Sequence, residues 1–198
     1  MKKIKKILIG TNNVGKYKEI CDLLPSKIKK YSPKKFKILS PKETGKNFKE
    51  NSLIKAAYFS KKRNLVCLSD DSGLEINLLN GKPGIYSSRW AGSKNNFDSA
   101  IKKIFNAMQN KKKNWKNYNK ATFICCLTIF WPDGKYYCST GVIKGKIATE
   151  KRGKKGFGYD PIFIPYGYSK TFAEMDPKLK MSIDHRFKAF RKIKKFFV

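Results

Sequence analysis

Two long strand-like segments face one turn in the second half of the chain, and any fold must accommodate them. Ala121 to Trp131 is the first, Pro132-Asp133-Gly134 is the turn, and Tyr136 to Ile147 is the return. So short a connection makes an antiparallel hairpin. The first half of the sequence follows a different rule. Lys5 to Gly10 reads as a buried strand and Thr11 to Lys16 as a polar turn. Tyr17, Ile20, Cys21 and Leu24 then recur at helical spacing until Pro25 stops them. Phe36 to Leu39 reads as a second strand, Asn51 to Arg63 as a helix, and Leu65 to Leu68 as the next strand. Strand-helix alternation followed by a long hairpin argues for an α/β fold built on a mixed sheet.

The remaining segments fit this frame. Phe97, Ile101, Ile104, Phe105 and Met108 make an amphipathic helix, and Lys111 to Lys120 reads as an exposed polar connector. Asp176-Pro177 is an N-cap and N1 pair that opens helical sequence running towards Phe197. No internal repeat or linker divides the 198 residues, so one domain, with room for two lobes, is expected over 1–198.

Composition narrows the function classes. Hydrophobic residues are 40% of the chain, which excludes a disordered tail despite a net charge of +31. No apolar run is long enough for a membrane helix, and Ile7-Leu8-Ile9 is too short for a signal core, so a cytoplasmic location is expected. The odd count of five cysteines, with no Cys-x-x-Cys, suggests reduced and mostly buried thiols. The lysines fall in nearly every segment rather than in one stripe. That pattern reads as a solvated basic surface, although a polyanionic partner would also suit it.

Against this basic background Ser69-Asp70-Asp71-Ser72-Gly73 sets two acids together at an expected strand end. Two carboxylates there can hold a divalent cation, a proton, or both, while Asp, Ser and Gly also make ordinary turns. Gly10 to Lys16 nearly spells a Walker A loop, but Tyr17 stands where Ser or Thr would hold magnesium. What survives is an amide-rich strand-to-helix turn with Lys16 at the helix start, an arrangement suited to phosphate oxygens. Glu43 and Glu50 are further acids that could join a metal, and Glu50 equally suits a helix N-terminus. Lys55, one turn into its helix, could face phosphate or solvent. Gly156-Phe157-Gly158-Tyr159-Asp160-Pro161 could stack a ring on a base or tuck its rings into the core. His185-Arg186 puts two hydrogen-bond donors together in helical sequence.

Taken in order, five blocks resemble one family. Thr11 to Lys16, Ser69 to Leu74, Gly81 to Arg89, Gly156 to Pro161 and His185-Arg186 look like the signatures of the inosine triphosphate pyrophosphatases, or XTP/dITP diphosphatases. The resemblance implies a dimer with a long, bent mixed sheet, helices in two lobes and a cleft between them. It implies that Thr11, Asn12, Asn13, Val14, Gly15 and Lys16 bind triphosphate. It makes Asp71 the catalytic base and a Mg²⁺ ligand, with Glu43 and Asp70 as further metal positions. Ser72, Phe157, Gly158, Tyr159, Asp160, Lys180, His185 and Arg186 correspond to nucleotide contacts. Lys42 replaces an acid common in relatives, Asn47 replaces Ser or Thr, and Asp184 and Phe187 replace Ser and Gly.

The reaction so implied is hydrolysis between the α and β phosphates to a monophosphate and pyrophosphate, with Lys16, Lys55 and the Thr11 to Asn13 turn on the polyphosphate. Donors from His185, Arg186 or loop amides would accept the O6 of hypoxanthine or xanthine. Adenine would leave one donor unpaired, at a cost of about 1–3 kcal/mol. A pyrophosphatase for modified pyrimidine nucleotides is one alternative reading. A basic nucleic-acid-binding protein is another, but it has no need of Asp70-Asp71, and a nucleic-acid partner is not required.

Overall fold

The computed structural model describes residues 4–92 and 95–197. Its strands are β1 (Lys6–Ile9), β2 (Lys29–Tyr31), β3 (Cys67–Ile76), β4 (Lys120–Phe130), β5 (Tyr136–Ile147) and β6 (Phe163–Pro165). Its α-helices are α1 (Val14–Leu23), α2 (Phe48–Arg63), α3 (Ser87–Trp90), α4 (Phe97–Lys111), α5 (Pro177–Ile183) and α6 (His185–Ile193). The strands form one mixed sheet in the order β2-β1-β3-β4-β5-β6. β1 is parallel to β2 and to β3, and β5 is antiparallel to β6. The mixed α/β fold expected of the sequence is therefore the fold observed.

The chain divides into two compact units. The first holds Met1–Asp71, Cys125–Gly141 and His185–Val198, and the second holds Ser72–Ile124 and Val142–Asp184. Each has its own core. In the first, Ile7, Ile9, Leu68, Leu127 and Ile129 pack with Ile20 of α1 and with Ala189, Phe190 and Ile193 of α6. Leu8 and Cys67, on the opposite side of their strands, pack with Phe59 of α2. α1 and α6 thus cover one face of β1–β3 and α2 covers the other. In the second unit Leu74, Ile76, Ile104, Phe123, Tyr159, Phe163 and Phe172 share one cluster.

Several boundaries depart from the sequence reading. The second strand is Lys29–Tyr31, not Phe36–Leu39. Pro33–Phe36 is a 3₁₀ turn capped by Ser32 and ended by Lys37 at φ 55°. Three lysine-rich residues show no periodicity of their own, and pairing with β1 makes them a strand. Asp70-Asp71 lies within β3 rather than at its end, because both acids find buried partners. The helical sequence after Asp176 breaks at Asp184, whose backbone is extended (φ −71°, ψ 171°), and His185 opens a new helix. The connector before β4 is not wholly exposed. Trp115 is buried and stacks on Phe105 at 5.8 Å.

Candidate active site

The first unit brings its acids and cations together where strand order reverses. From β1 the chain passes through α1 to β2 on one side, and β2 returns through α2 to β3 on the other. Right-handed crossovers then place the two helices on opposite faces, with a crevice at the strand ends between β1 and β3. β1 ends at Ile9, beside Leu68, whereas β3 continues through Asp70 and Asp71. The Ser69 hydroxyl, bonded to the Gly10 carbonyl at 3.0 Å, fixes the point where the strands part.

The turn after β1 is held by its own side chains. The Asn13 side chain caps α1 by accepting the Lys16 amide at 3.0 Å, and Thr11 Oγ1 accepts the Asn13 amide at 3.2 Å. The first-turn amides of Val14 and Gly15 have no carbonyl one turn back, so the helix start is a natural anion cradle. The Asn12 side chain is otherwise engaged. Its amide donates to the Ile38 carbonyl and to Ser40 Oγ, which ties the turn to the loop that carries Glu43.

Successive side chains of a strand point to opposite faces, so the adjacent acids do not act as one pair. Asp70 faces α1 and α6. Its Oδ2 lies 3.1 Å from Lys16 Nζ and 3.1 Å from an Arg186 guanidinium nitrogen, and Arg186 also bonds Glu19 one turn beyond Lys16. Burial alone would raise the Asp70 pKa, but Lys16, Arg186 and Lys55 together outweigh it and hold the carboxyl far below the usual range. Asp71 faces α2. Its Oδ1 is 3.2 Å from Lys55 Nζ, which also meets Glu43 at 2.5 Å. For Asp71 burial wins. Lys55 and Lys16 oppose it, Glu43 and Asp70 reinforce it, and the pKa is raised. Burial disfavours the Lys55 ammonium, yet Asp71, Asp70 and Glu43 override that cost and keep it charged.

A divalent cation fits this cluster on the α2 side. Asp71 Oδ2 is buried and has no hydrogen-bond partner among the described residues. Asp71 and Glu43 converge on one ammonium, so a positive charge already stands where the two carboxylates meet. Magnesium commonly takes one or two protein carboxylates and fills its shell with water and phosphate. The expected set of Asp71, Glu43 and Asp70 does not assemble as a cage. No cluster of three such ligands occurs among the described residues, and Asp70 is spent on Lys16 and Arg186. Glu50 is a capping residue. Asn47 caps α2 through the Glu50 amide at 2.9 Å, and the Glu50 carboxylate accepts from Asn47 and from the Lys46 amide. Asn47 therefore performs the capping task of the Ser or Thr it replaces.

The second unit holds the Phe157–Asp160 loop together around a different ion pair. Buried Asp160 accepts the Phe157 amide at 2.9 Å and the Lys180 ammonium at 2.6 Å. That ammonium also lies 5.3 Å from the centre of the Phe157 ring. Gly156 must be glycine. Its φ is 72°, and a Cβ there would collide with the Asp160 carboxylate. Tyr159 departs from its expected contact role. It is buried against Phe97, edge to face at 5.2 Å, and its hydroxyl donates to the Ser87 carbonyl at 2.8 Å. Phe157 and Gly158 remain partly accessible, as does Ser72 at the start of this unit's share of β3. His185 and Arg186, in the first unit, are buried in the first turn of α6. Glu19 escaped the sequence reading. Its signal was helical spacing, one turn after Lys16 on the same face.

Comparison with known proteins identifies the family. The model of the Ham1 family matches residues 7–196. The chain belongs to the Ham1 family. Among its relatives, the dITP/XTP pyrophosphatase of Oceanobacillus iheyensis is 40% identical over 196 residues, covering 98% of each chain. The dITP/XTP pyrophosphatase of Rhodospirillum centenum is 38% identical over 188 residues, covering 94% of this chain and 92% of the relative. A solved HAM1 protein from Coxiella burnetii superposes with a TM-score of 0.85 at 36% identity, covering 96% of both chains. The Staphylococcus aureus Ham1 protein gives 0.83 at 34%, covering 97% of both. These Ham1 matches support the family resemblance first read from the five sequence blocks.

Proposed function

We propose that this Ham1-family chain hydrolyses aberrant purine nucleoside triphosphates (dITP, ITP and XTP) to the monophosphate and pyrophosphate, clearing deaminated purines from the nucleotide pool. The observation that carries this reading is Lys55 gripping Asp71 and Glu43 while Asp71 Oδ2 stays open. Lys16 and the first-turn amides of α1 hold the polyphosphate and neutralise its charge. Asp71, with its raised pKa, takes the proton of the attacking water as the anhydride between the α and β phosphates breaks and pyrophosphate leaves. Mg²⁺ on Asp71 and Glu43 would supply Lewis-acid charge at the phosphate oxygens and a more acidic water. Asp70, in this reading, positions Lys16 and Arg186 rather than ligating metal. His185 and Arg186, in the same unit as Lys16 and Asp71, contribute contacts to the nucleotide.

Pyrophosphate release from dITP, XTP, ATP, GTP and dUTP, with Mg²⁺ or EDTA, tests the reading. Turnover should favour dITP and XTP and vanish in EDTA. Preference for ATP would overturn the base selectivity, and preference for dUTP would point to a pyrimidine pyrophosphatase instead. No helix among the described residues is long and apolar enough to cross a membrane. We further propose a cytoplasmic homodimer. Exposed Tyr136 and Tyr137 at the start of β5 offer surface for a second copy. Light scattering that returned a monomer mass would refute the dimer, and fractionation to the envelope would refute the location.

A further inference from the structure

We infer that Cys126 and Cys138 form a peroxide-sensitive thiol pair, and that its oxidation to a disulfide slows the enzyme. Only the rate effect rests on the proposed function. Counting back from the Trp131 amide on the Lys135 carbonyl, Thr128 stands opposite Cys138 and Cys126 opposite Thr140. Thr128 Oγ1 and Cys138 Sγ are indeed 3.1 Å apart. Strand alternation puts both cysteines on the face that α2 covers. Both are free thiols, Cys126 buried and Cys138 half-buried, and they share a hydrogen bond.

Their surroundings are polar. Cys126 also bonds Ser52 and Thr140, and the Ser52 hydroxyl lies 2.7 Å from Thr128 Oγ1. Sulphur used only as packing needs no such ring of hydroxyls. Ser52 sits one turn before Lys55 on α2, and the Asp71 charge acts on Cys126. The pair therefore abuts the helix that positions Lys55, although the hydrolysis uses neither sulphur.

Hydrogen peroxide enters past Cys138, the more accessible member. The Cys126 thiolate is favoured, because Cys138 and the neighbouring hydroxyls lower its pKa to about 6 while the Cys138 thiol is pushed up. It attacks the O–O bond and becomes a sulphenic acid, and the hydroxide expelled takes up the thiol proton as water. Cys138 sulphur then attacks the sulphenic sulphur. The S–S bond forms, and the second hydroxide leaves as water with the Cys138 proton. Two thiols lose two electrons and two protons, and one peroxide becomes two waters. Diagonal neighbours on antiparallel strands sit wider than a relaxed disulfide requires, so the strands must draw together and the bond reduces easily. Cys126 is pulled from Ser52, and α2 loses a contact below Lys55.

The test treats the whole protein with hydrogen peroxide, alkylates the remaining thiols, maps them by mass spectrometry and follows pyrophosphate release from dITP. A Cys126–Cys138 cross-link should appear with a several-fold loss of rate, both reversed by dithiothreitol. Cys138→Ser should form no cross-link and keep its rate through the same treatment. Alkylation of both cysteines after peroxide would overturn the inference. So would equal inactivation of Cys138→Ser, or a cross-link without loss of rate. The thiol map needs no turnover, so a protein inactive on every nucleotide would sink the proposed function and leave the cross-link to be judged alone.

Discussion

The two faces of β3 treat adjacent carboxylates in opposite ways. On the α1/α6 face Asp70 is saturated by Lys16 and Arg186 and is held ionised. On the α2 face Asp71 shares Lys55 with Glu43, keeps one oxygen open and has a raised pKa. A fully compensated buried charge supports structure and positions its partners. An under-compensated one is poised to bind a cation or take a proton. One residue of strand register therefore separates a scaffold acid from a reactive one.

The strongest way to break this contrast is Asp71→Asn. Turnover should fall by roughly 10²–10⁴ from loss of the base alone, with thermal stability largely kept. Near-normal pyrophosphate release would show that Asp71 is not the base. Asp70→Asn should do the reverse in kind. It leaves Lys16 and fully buried Arg186 short of a counter-charge, at a cost of about 3–5 kcal/mol of stability read by urea denaturation. An unchanged midpoint would mean that the buried pair is not structural. Gly141→Ala probes the seat of α6. A Cβ there would collide with the His185 carbonyl and the Ala189 amide, and the overpacking should cost about 1–3 kcal/mol. The smallest effect belongs to Tyr159→Phe. Losing the bond to Ser87 should cost about 0.5–1.5 kcal/mol and leave KM for dITP unchanged. A large rise in KM would make Tyr159 a nucleotide contact after all.

Much of this was legible in the sequence, for identifiable reasons. The hairpin, α1 and α4 carry strong periodicity and clear stops, and the structure places them where those signals end. β2 was invisible because three residues acquire strand character only by pairing with β1. The five motif blocks pointed to the family and contained Lys16, Asp71 and Arg186. Glu43 and Lys55 were picked out outside those blocks, and all five residues lie in the first unit. What the motifs could not convey was the division of labour between Asp70 and Asp71. That depends on which helix lies over which face, a fact of topology rather than of local sequence. Tyr159 and Glu19 were misjudged or missed for a related reason. A ring between glycines looks like a binding loop until its hydroxyl finds Ser87, and an acid on a helix looks solvated until Arg186 reaches it.

The most direct test is a carboxyl-carbon NMR titration of Asp70 and Asp71 in the metal-free protein. Asp71 should titrate above the ordinary aspartate value of 3.8, and Asp70 should stay ionised well below it. The linkage signs follow from those shifts. Because its folded pKa is depressed, Asp70 stabilises the fold above pH 3.8, and that contribution fades only as pH falls towards its native value. Asp71, whose pKa is raised, favours the fold relative to the unfolded chain below 3.8 and loses that contribution as pH rises through its native value. Two carboxyls titrating together near the ordinary value would contradict the account, because the faces of β3 would then be electrostatically alike.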